Sequence, residues 1–368
     1  MTNKFIPLAR PDINADDIKA VTDVLETGML VQGPQVANLE TNAADFLGAD
    51  FVVAVSNGTA TLHLSLIALG IKAGDEVIVP ALSYIATANV VELVGATPVF
   101  VDIDLQTFNI DVSKIEAAIT KKTKAIIPVH EFGLACDIEA IMKIAAAHKL
   151  FIIEDAACAL GAKQNGKSVG TFGDFGSFSF HPRKAISSGE GGLVTTGDSK
   201  KADRIRTLRN HGIEMIGTKM EFVEPGYNYR MTDFQAALVG NQFKRLTQTL
   251  VYKNELATTY SSLIKNSEII LPFKPHDRNH TWQTYHVILD ESISRDKAIQ
   301  DLKEKNIGTN YGAQCMPAQK FYQNKYHLNC EVLFPNAMKA YQNGLAIPLY
   351  EKLTHKDISY IAEQLNRL

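Results

Sequence analysis

The 368-residue sequence is sparing with cysteine and has no dense block of positive charge. Its four cysteines, Cys136, Cys158, Cys315 and Cys330, are scattered without a CxxC spacing, which argues against a disulfide framework or a zinc site and leaves them as reduced thiols. Lys and Arg total 37 against 40 Asp and Glu, a net charge of −3. Nothing therefore marks a nucleic-acid or polybasic membrane surface, and the expected partners are small molecules. No apolar run reaches the ~18–20 residues needed to cross a bilayer. The opening Met1-Thr2-Asn3-Lys4-Phe5 leads into polar, proline-containing sequence rather than a signal-peptide core, so a cytoplasmic protein is expected. Internal repeats and low-complexity tracts are lacking as well. No GxGxxG follows the early strands, which counts against a nicotinamide-dependent oxidoreductase.

What is present is an alternation of short apolar runs with amphipathic segments, the pattern of an α/β domain. A chain of this length exceeds the ~250–300 residues at which one core tends to split, so two domains are expected. Asn14 is placed to cap a helix whose apolar positions Ile18, Val21 and Leu25 recur at helical spacing and which ends near Gly28. Phe51–Val55 reads as a buried strand running through Ser56-Asn57-Gly58-Thr59 into a helix with Leu62, Leu66 and Leu69 on one side. Further strands are expected at 76–79, 98–101, 125–129 and 151–153, separated by turns or by helices such as the one capped by Asp137, which favours a mostly parallel sheet. After Arg245 the rhythm changes to a long helix, a β-rich stretch at 282–289 and helices near 295–305 and His355–Leu365. The expected division is a large domain over 1–245 and a smaller α+β domain over 246–368.

The run FGDFGSFSFHPRKAISSGEGGLVTT, residues 172–196, sets a single lysine, Lys184, between hydroxyl-rich and glycine-rich segments. A lysine at its ordinary pKa of roughly 10.4 is a poor nucleophile, but in a dry pocket or beside another cation it can condense with an aldehyde. Pyridoxal phosphate would supply that aldehyde, and would need a carboxylate for its ring nitrogen, donors for its phosphate and an apolar or aromatic face. Asp155 ends an apolar strand, where open α/β sheets bind ligands, although Asp is equally at home as a helix N-cap. Gly58 and Thr59 open a helix whose free N–H groups and dipole suit a phosphate, while Asn-Gly also marks ordinary turns. Ser179 offers a hydroxyl to the same phosphate or simply alternates with aromatics along a strand. Tyr84 follows an apparent strand end and is a ring-stacking or a core aromatic. In GYNYRMTDFQAAL, Asn228 has an amide suited to phosphate and Arg230 a fork suited to carboxylate, but a surface loop accounts for both too, with Asp233 or Thr232 simply capping the helix that follows.

Taken together, SNGTATLHLSLIALGI, EDAACALGAKQNGKSVGTFGDFGSFSFHPRKAISSGEGG, LRNHGI and GYNYRMTDFQAAL resemble the nucleotide-sugar aminotransferases of the DegT/StrS group. ARPDINADDI, MLVQGPQVANLE and LAIPLYEKLT extend the resemblance to nearly the whole chain. It implies the fold-type-I architecture of pyridoxal phosphate enzymes: a mixed, mainly parallel seven-stranded sheet in the large domain, a smaller C-terminal α+β domain, and a homodimer with shared active sites. Lys184 falls on the cofactor lysine, Ser179 on a phosphate ligand, Asp155 on the partner of the ring nitrogen, Gly58 and Thr59 on the backbone phosphate cradle, and Tyr84 on the aromatic covering one ring face. Asn228 falls on an asparagine lent to the phosphate across the dimer. Arg230 would enter the neighbouring site and meet the donor carboxylate or the acceptor sugar.

The implied reaction moves an amino group from L-glutamate to carbon 3 or 4 of a nucleotide-linked keto-deoxysugar, for surface polysaccharide or a natural product. Two alternatives accompany it: a dehydratase, which carries histidine where this chain has Lys184, and a non-catalytic cofactor-binding or regulatory protein. The sequence departs from the group at Cys158, where Gln, His or Glu usually reaches the ring oxygen or substrate, at Ser187-Ser188 in place of two threonines, and in NYGAQCMPAQKFY, residues 310–322, which replaces a histidine-containing stretch of the sugar-binding wall.

Overall fold

The computed structural model describes residues 4–368. Residues 1–3, part of the opening segment and of the expected first domain, lie outside the described residues. The main sheet comprises β1 (Phe51–Val55), β2 (Glu76–Pro80), β3 (Thr97–Val101), β4 (Thr123–Ile126), β5 (Phe151–Asp155), β6 (Phe175–Ser179) and β7 (Gly192–Thr196), in the order β1-β7-β6-β5-β4-β2-β3. Only β7 runs against its neighbours, so the sheet is mixed and mainly parallel, as expected.

Two-sided burial explains why these strands read as continuous apolar runs. Side chains alternate across a strand, so Val53 and Val55 join one core with Leu62, Leu66 and Ile205. Val52 and Ala54 join another with Leu39, Phe178 and Val239. The layers over these faces include α1 (Ala15–Thr27), α2 (Pro34–Leu47), α3 (Gly58–Ala68), α4 (Ala86–Leu93), α5 (Ile138–His148), α6 (Ser199–Arg209) and α7 (Asp233–Phe243). A further apolar core gathers α8 (Leu246–Leu263) and α10 (His355–Leu365) on a small sheet of β8 (Ile269–Ile270), β9 (Tyr285–Leu289) and β10 (Gly344–Ile347), with α9 (Arg295–Glu304) contributing Leu302. Arg245 lies between α7 and α8. Residues Ala313, Cys315, Met316, Tyr322 and Phe334 nevertheless pack with the large-sheet core, and Ile6 with the small-sheet core. No helix among the described residues is long and apolar enough to cross a membrane.

The helix capped by Asn14 and ending at Gly28 stands as expected, although Ile18 and Leu25 are exposed on it and Asp17 and Val24 are its buried residues. Asp17 is held there by Arg245, whose Nη2 donates to its Oδ2 at 2.6 Å, a charge pair that outweighs the loss of water. The β-rich stretch begins at Tyr285, because Trp282 has φ +53°, incompatible with an extended strand. Of the two cap candidates for α7, Thr232 takes the N-cap position, whereas the Asp233 carboxylate accepts from the N–H groups of Gly33, Gln35 and Val36 and so caps α2 across 200 residues of chain.

Candidate active site

The carboxyl ends of the parallel strands lie along one sheet edge, and the registry there assembles the site. Val55 ending β1 pairs with Gly192, and Gly192 pairs with Ser179 ending β6. The chain leaving β1 turns at Asn57, whose Oδ1 accepts from Ala60 N–H at 2.8 Å, and enters α3 at Gly58. Backbone and side chain meet closely here. A Cβ on Gly58 would lie 2.7 Å from Ser179 Cβ, and one on Gly192 would lie 2.8 Å from the Asn57 carbonyl. The N-terminal N–H groups of α3, which a helix cannot pair internally, thus sit directly beside the Ser179 hydroxyl.

Asp155, ending β5, is buried and accepts from Thr87 Oγ1 at 2.8 Å and from Ala157 N–H at 3.2 Å. No helix follows it, so the N-cap alternative does not hold. Burial raises its pKa, opposed by those two hydrogen bonds and by the Lys184 charge. The neighbouring Glu154 points to the opposite face of the strand. Its Oε2 accepts from His130 Nε2 at 3.1 Å and Gly170 N–H at 2.8 Å, and its Oε1 from Phe172 and Gly173 N–H at 2.7 and 2.9 Å. Four donors satisfy this fully buried carboxylate and lock the strand end that carries Asp155. The Cys136 N–H donates to His130 Nδ1, which fixes the ring as the Nε2–H tautomer facing Glu154.

Lys184 sits in the loop after β6, its Nζ donating to Cys158 Sγ at 3.0 Å. Burial pushes the Cys158 thiol up, against the pull of Lys184, which keeps the sulfur neutral and the contact weak. Lys184, Asp155, Ser179, Gly58, Thr59 and Tyr84 all line one cavity of about 640 Å³, with Tyr84 largely exposed. That volume lies within the usual range for small-molecule sites, roughly 300–1,000 Å³. Asn228 and Arg230 do not line it. Arg230 Nη1 donates to Asn210 Oδ1 at 2.5 Å, and Asn228 bridges Asn210 through the backbone, on the loop leading to α7.

Sequence reasoning missed several wall residues. Glu131 follows the β4 strand region, is buried, and is pushed up to about 8 by burial and by the Asp155 charge, with Lys184 pulling the other way. It stands five residues beyond the end of β4, in a short helical turn, so the strand-end rule that singled out Asp155 does not reach it. Thr87, one turn into the segment after Tyr84, carried no such signal either. Arg183 and His181 flank the lysine on the cavity wall, where burial and the Lys184 charge lower the His181 pKa. Gln283, Thr284, Gly312 and Ala313 close it from far along the chain, the last two from the atypical 310–322 stretch.

The donor set fits pyridoxal phosphate: a helix N-terminus and hydroxyl for an anion, a glycine where any side chain would collide, a buried carboxylate and a lysine amine on one wall. A family model described as the DegT/DnrJ/EryC1/StrS aminotransferase family matches residues 11–366. The chain is 40% identical over 375 residues to the spore coat polysaccharide biosynthesis protein SpsC of Bacillus subtilis, covering 98% of this chain and 96% of SpsC. Among solved structures it is similar to Spr1654 from Streptococcus pneumoniae, assigned as a sugar aminotransferase, in its PLP form, with a TM-score of 0.94, 31% identity and coverage of 99% and 98% of the two chains. It is also similar to PseC from Helicobacter pylori, an aminotransferase involved in the biosynthesis of pseudoaminic acid, with a TM-score of 0.93, 26% identity and 99% coverage of both chains.

Proposed function

This chain belongs to the DegT/DnrJ/EryC1/StrS aminotransferase family, the pyridoxal-phosphate-dependent sugar aminotransferases, and we propose that it moves an amino group from L-glutamate to carbon 3 or 4 of a nucleotide-linked keto-deoxysugar in the cytoplasm. The name of one relative, a spore coat polysaccharide biosynthesis protein, supports surface polysaccharide as the destination of the amino sugar. The observation that carries the reading is the meeting of Lys184, Asp155, Ser179 and the α3 N-terminus around one cavity.

When bound, pyridoxal phosphate supplies an aldehyde that takes up the amino group and a ring that delocalises the electron pair left as the donor carbon loses its proton. The residues of the chain do the rest. Gly58 and Thr59 N–H and the Ser179 hydroxyl would hold the phosphate and so keep the cofactor in place while donor and sugar exchange. Asp155 would keep the ring nitrogen protonated. A cation beside this carboxylate reverses the effect of its burial and holds it ionised, with Thr87 fixing its orientation. The Lys184 amine would take the proton from the donor's α-carbon, hold it as an ammonium and give it up again, and would serve in the reverse sense at the sugar carbon that receives the amino group. Tyr84, exposed at the cavity wall, would cover one face of the ring. Asn228 and Arg230, outside their own cavity, are read as contributions to the partner's site in a homodimer, Asn228 to phosphate and Arg230 to the donor carboxylate or the sugar. Residues 1–245 are read as the cofactor-binding domain and 246–368 as the smaller domain that closes the sugar side.

The test is the half-reaction. Protein loaded with pyridoxal phosphate should convert glutamate to 2-oxoglutarate stoichiometrically, with a change in visible absorbance, and the aminated enzyme should then turn over one or more members of a panel of 3-keto and 4-keto sugar nucleotides. No 2-oxoglutarate release, or amination of simple 2-oxo acids in preference to every sugar nucleotide, would overturn it.

A further inference from the structure

Glu131 has no part in the roles assigned above, yet it faces the cavity with only 5% of its surface exposed and with Oε2 buried and lacking any hydrogen-bond partner among the described residues. It is also held firmly. Its N–H donates to Asn109 Oδ1 at 2.8 Å, and the next residue, Phe132, is fixed at φ +55° with its ring stacked on His286 at 4.4 Å. A buried, unpartnered carboxyl oxygen on a fixed backbone is expensive unless a ligand completes it.

The chemistry of that ligand follows from the proposed cofactor site, on which this inference rests. A pyridoxal ring anchored at its nitrogen by Asp155 and at its aldehyde carbon by Lys184 has two edges between those points. One edge carries the phosphate arm, directed to Gly58, Thr59 and Ser179. The other carries a methyl group and one polar atom, the ring oxygen. The groups around the Glu131 carboxyl are the Asp155 and Lys184 charges, the Ser83 hydroxyl and the Phe132 N–H; the last two donate toward the carboxyl but leave Oε2 without a hydrogen bond of normal length, and no phosphate ligand is among them. Cys158 shares this side, but a thiol is a poor donor and its sulfur already faces Lys184 Nζ. We infer that Glu131 is a cofactor-contacting residue of this enzyme, which as a neutral carboxylic acid donates a hydrogen bond from Oε2 to the ring oxygen of pyridoxal phosphate.

The charges around it agree with a neutral acid. From the end of β5, Asp155 disfavours a second negative charge, and burial acts in the same direction. Lys184, from the loop after β6, and the Ser83 and Phe132 donors oppose them without reversing the net upward shift, and Cys158 stays a thiol. His280 and His286 border the small cavity that adjoins Glu131 from the side of β9, and burial lowers both to about 3, so neither supplies a positive charge. His130, next in the chain, is lowered by burial but raised on balance by Cys136 and Glu154, and its Nε2 faces Glu154 on the opposite side of β5 from the cavity.

The test uses the full chain loaded with pyridoxal phosphate and reads two quantities besides turnover: cofactor Kd, and the pH midpoint of the bound cofactor's visible absorbance. A neutral donor stabilises negative charge on the ring oxygen and so lowers that midpoint, whereas an ionised neighbour would raise it. Glu131→Ala should raise the midpoint by about one pH unit and weaken binding by about tenfold, the worth of one hydrogen bond. Glu131→Gln, which keeps shape and an amide donor, should stay within about threefold in Kd, again on the scale of a hydrogen bond retained. Unmoved midpoints in both variants would show that no contact exists, and lowered midpoints in both would show an ionised Glu131; either result overturns the inference while leaving the cofactor site intact. Wild-type protein that fails to take up pyridoxal phosphate would defeat the cofactor site and this contact with it.

Discussion

Gly58→Ala is the most demanding single-atom test of how the phosphate is held. The added Cβ would stand 2.7 Å from Ser179 Cβ and 3.1 Å from its Oγ. Carbon pairs rest at about 3.5–4.0 Å, so the helix start and the end of β6 would have to part by about 1 Å. Hydrogen bonds of normal length do not survive that change. The helix itself is not at risk: the φ of Gly58 lies outside the left-handed region, and alanine is favoured over glycine within a helix by about 1 kcal/mol. Losing two charge-assisted hydrogen bonds, at about 1.5–3 kcal/mol each, amounts to about 3–6 kcal/mol, or roughly 10²- to 10⁴-fold in Kd. The assay compares pyridoxal phosphate with pyridoxal, which lacks the phosphate, by absorbance titration of wild type and variant. Affinity for pyridoxal phosphate should collapse while that for pyridoxal changes little. A variant that binds pyridoxal phosphate within threefold of wild type, or that loses both ligands equally, would refute the assignment of this turn to the phosphate.

Glu154→Gln leaves one acceptor oxygen for the four donors now served by two, so two buried donors lose their partners at about 1–3 kcal/mol each; urea unfolding should show a loss of about 2–6 kcal/mol, and a loss below about 1 kcal/mol would contradict its role as the anchor of the strand end. Glu131 also makes the cofactor-free protein sensitive to pH. Its carboxyl ionises near its ordinary 4.5 when unfolded but only near about 8 when folded, so between those values the folded state keeps a proton that the unfolded state has lost, and stability falls as pH rises through that window. The melting-temperature advantage of cofactor-free Glu131→Gln over wild type should therefore be larger at pH 8 than at pH 5, and an advantage independent of pH would show that Glu131 ionises normally.

The sheet was legible because parallel strands buried on both faces leave unmistakable apolar runs, and Phe51–Val55 and the helix from Gly58 fall where those runs and the Asn-Gly turn put them. Lys184, Asp155, Ser179, Gly58, Thr59 and Tyr84 were candidates because each sits at a strand end, a turn or a loop beside one, but local pattern left a structural alternative open for most of them, and the DegT/StrS resemblance singled them out; the fold brings all six to one cavity. Other features depend on contacts that no local pattern records. The exposed apolar face of α1 looks in sequence like any core-facing helix, and only the packing reveals that Asp17, paired with Arg245, points inward. Asp233 resembles a cap of its own helix, yet it serves α2 through a contact between distant segments. Thr87 and Glu131 acquire meaning only from burial against Asp155, a long-range property of the folded chain. Gly312 and Ala313 reach the cavity from the distant 310–322 stretch.

Borohydride reduction of the protein loaded with pyridoxal phosphate, followed by intact-mass and peptide mass analysis, tests most directly whether Lys184 is the covalent anchor of the cofactor. One pyridoxal phosphate equivalent should be fixed per chain and map to the peptide containing Lys184, and Lys184→Ala, still folded, should retain none after reduction. An unmodified Lys184 in the presence of saturating pyridoxal phosphate, or fixation on another lysine, would contradict it.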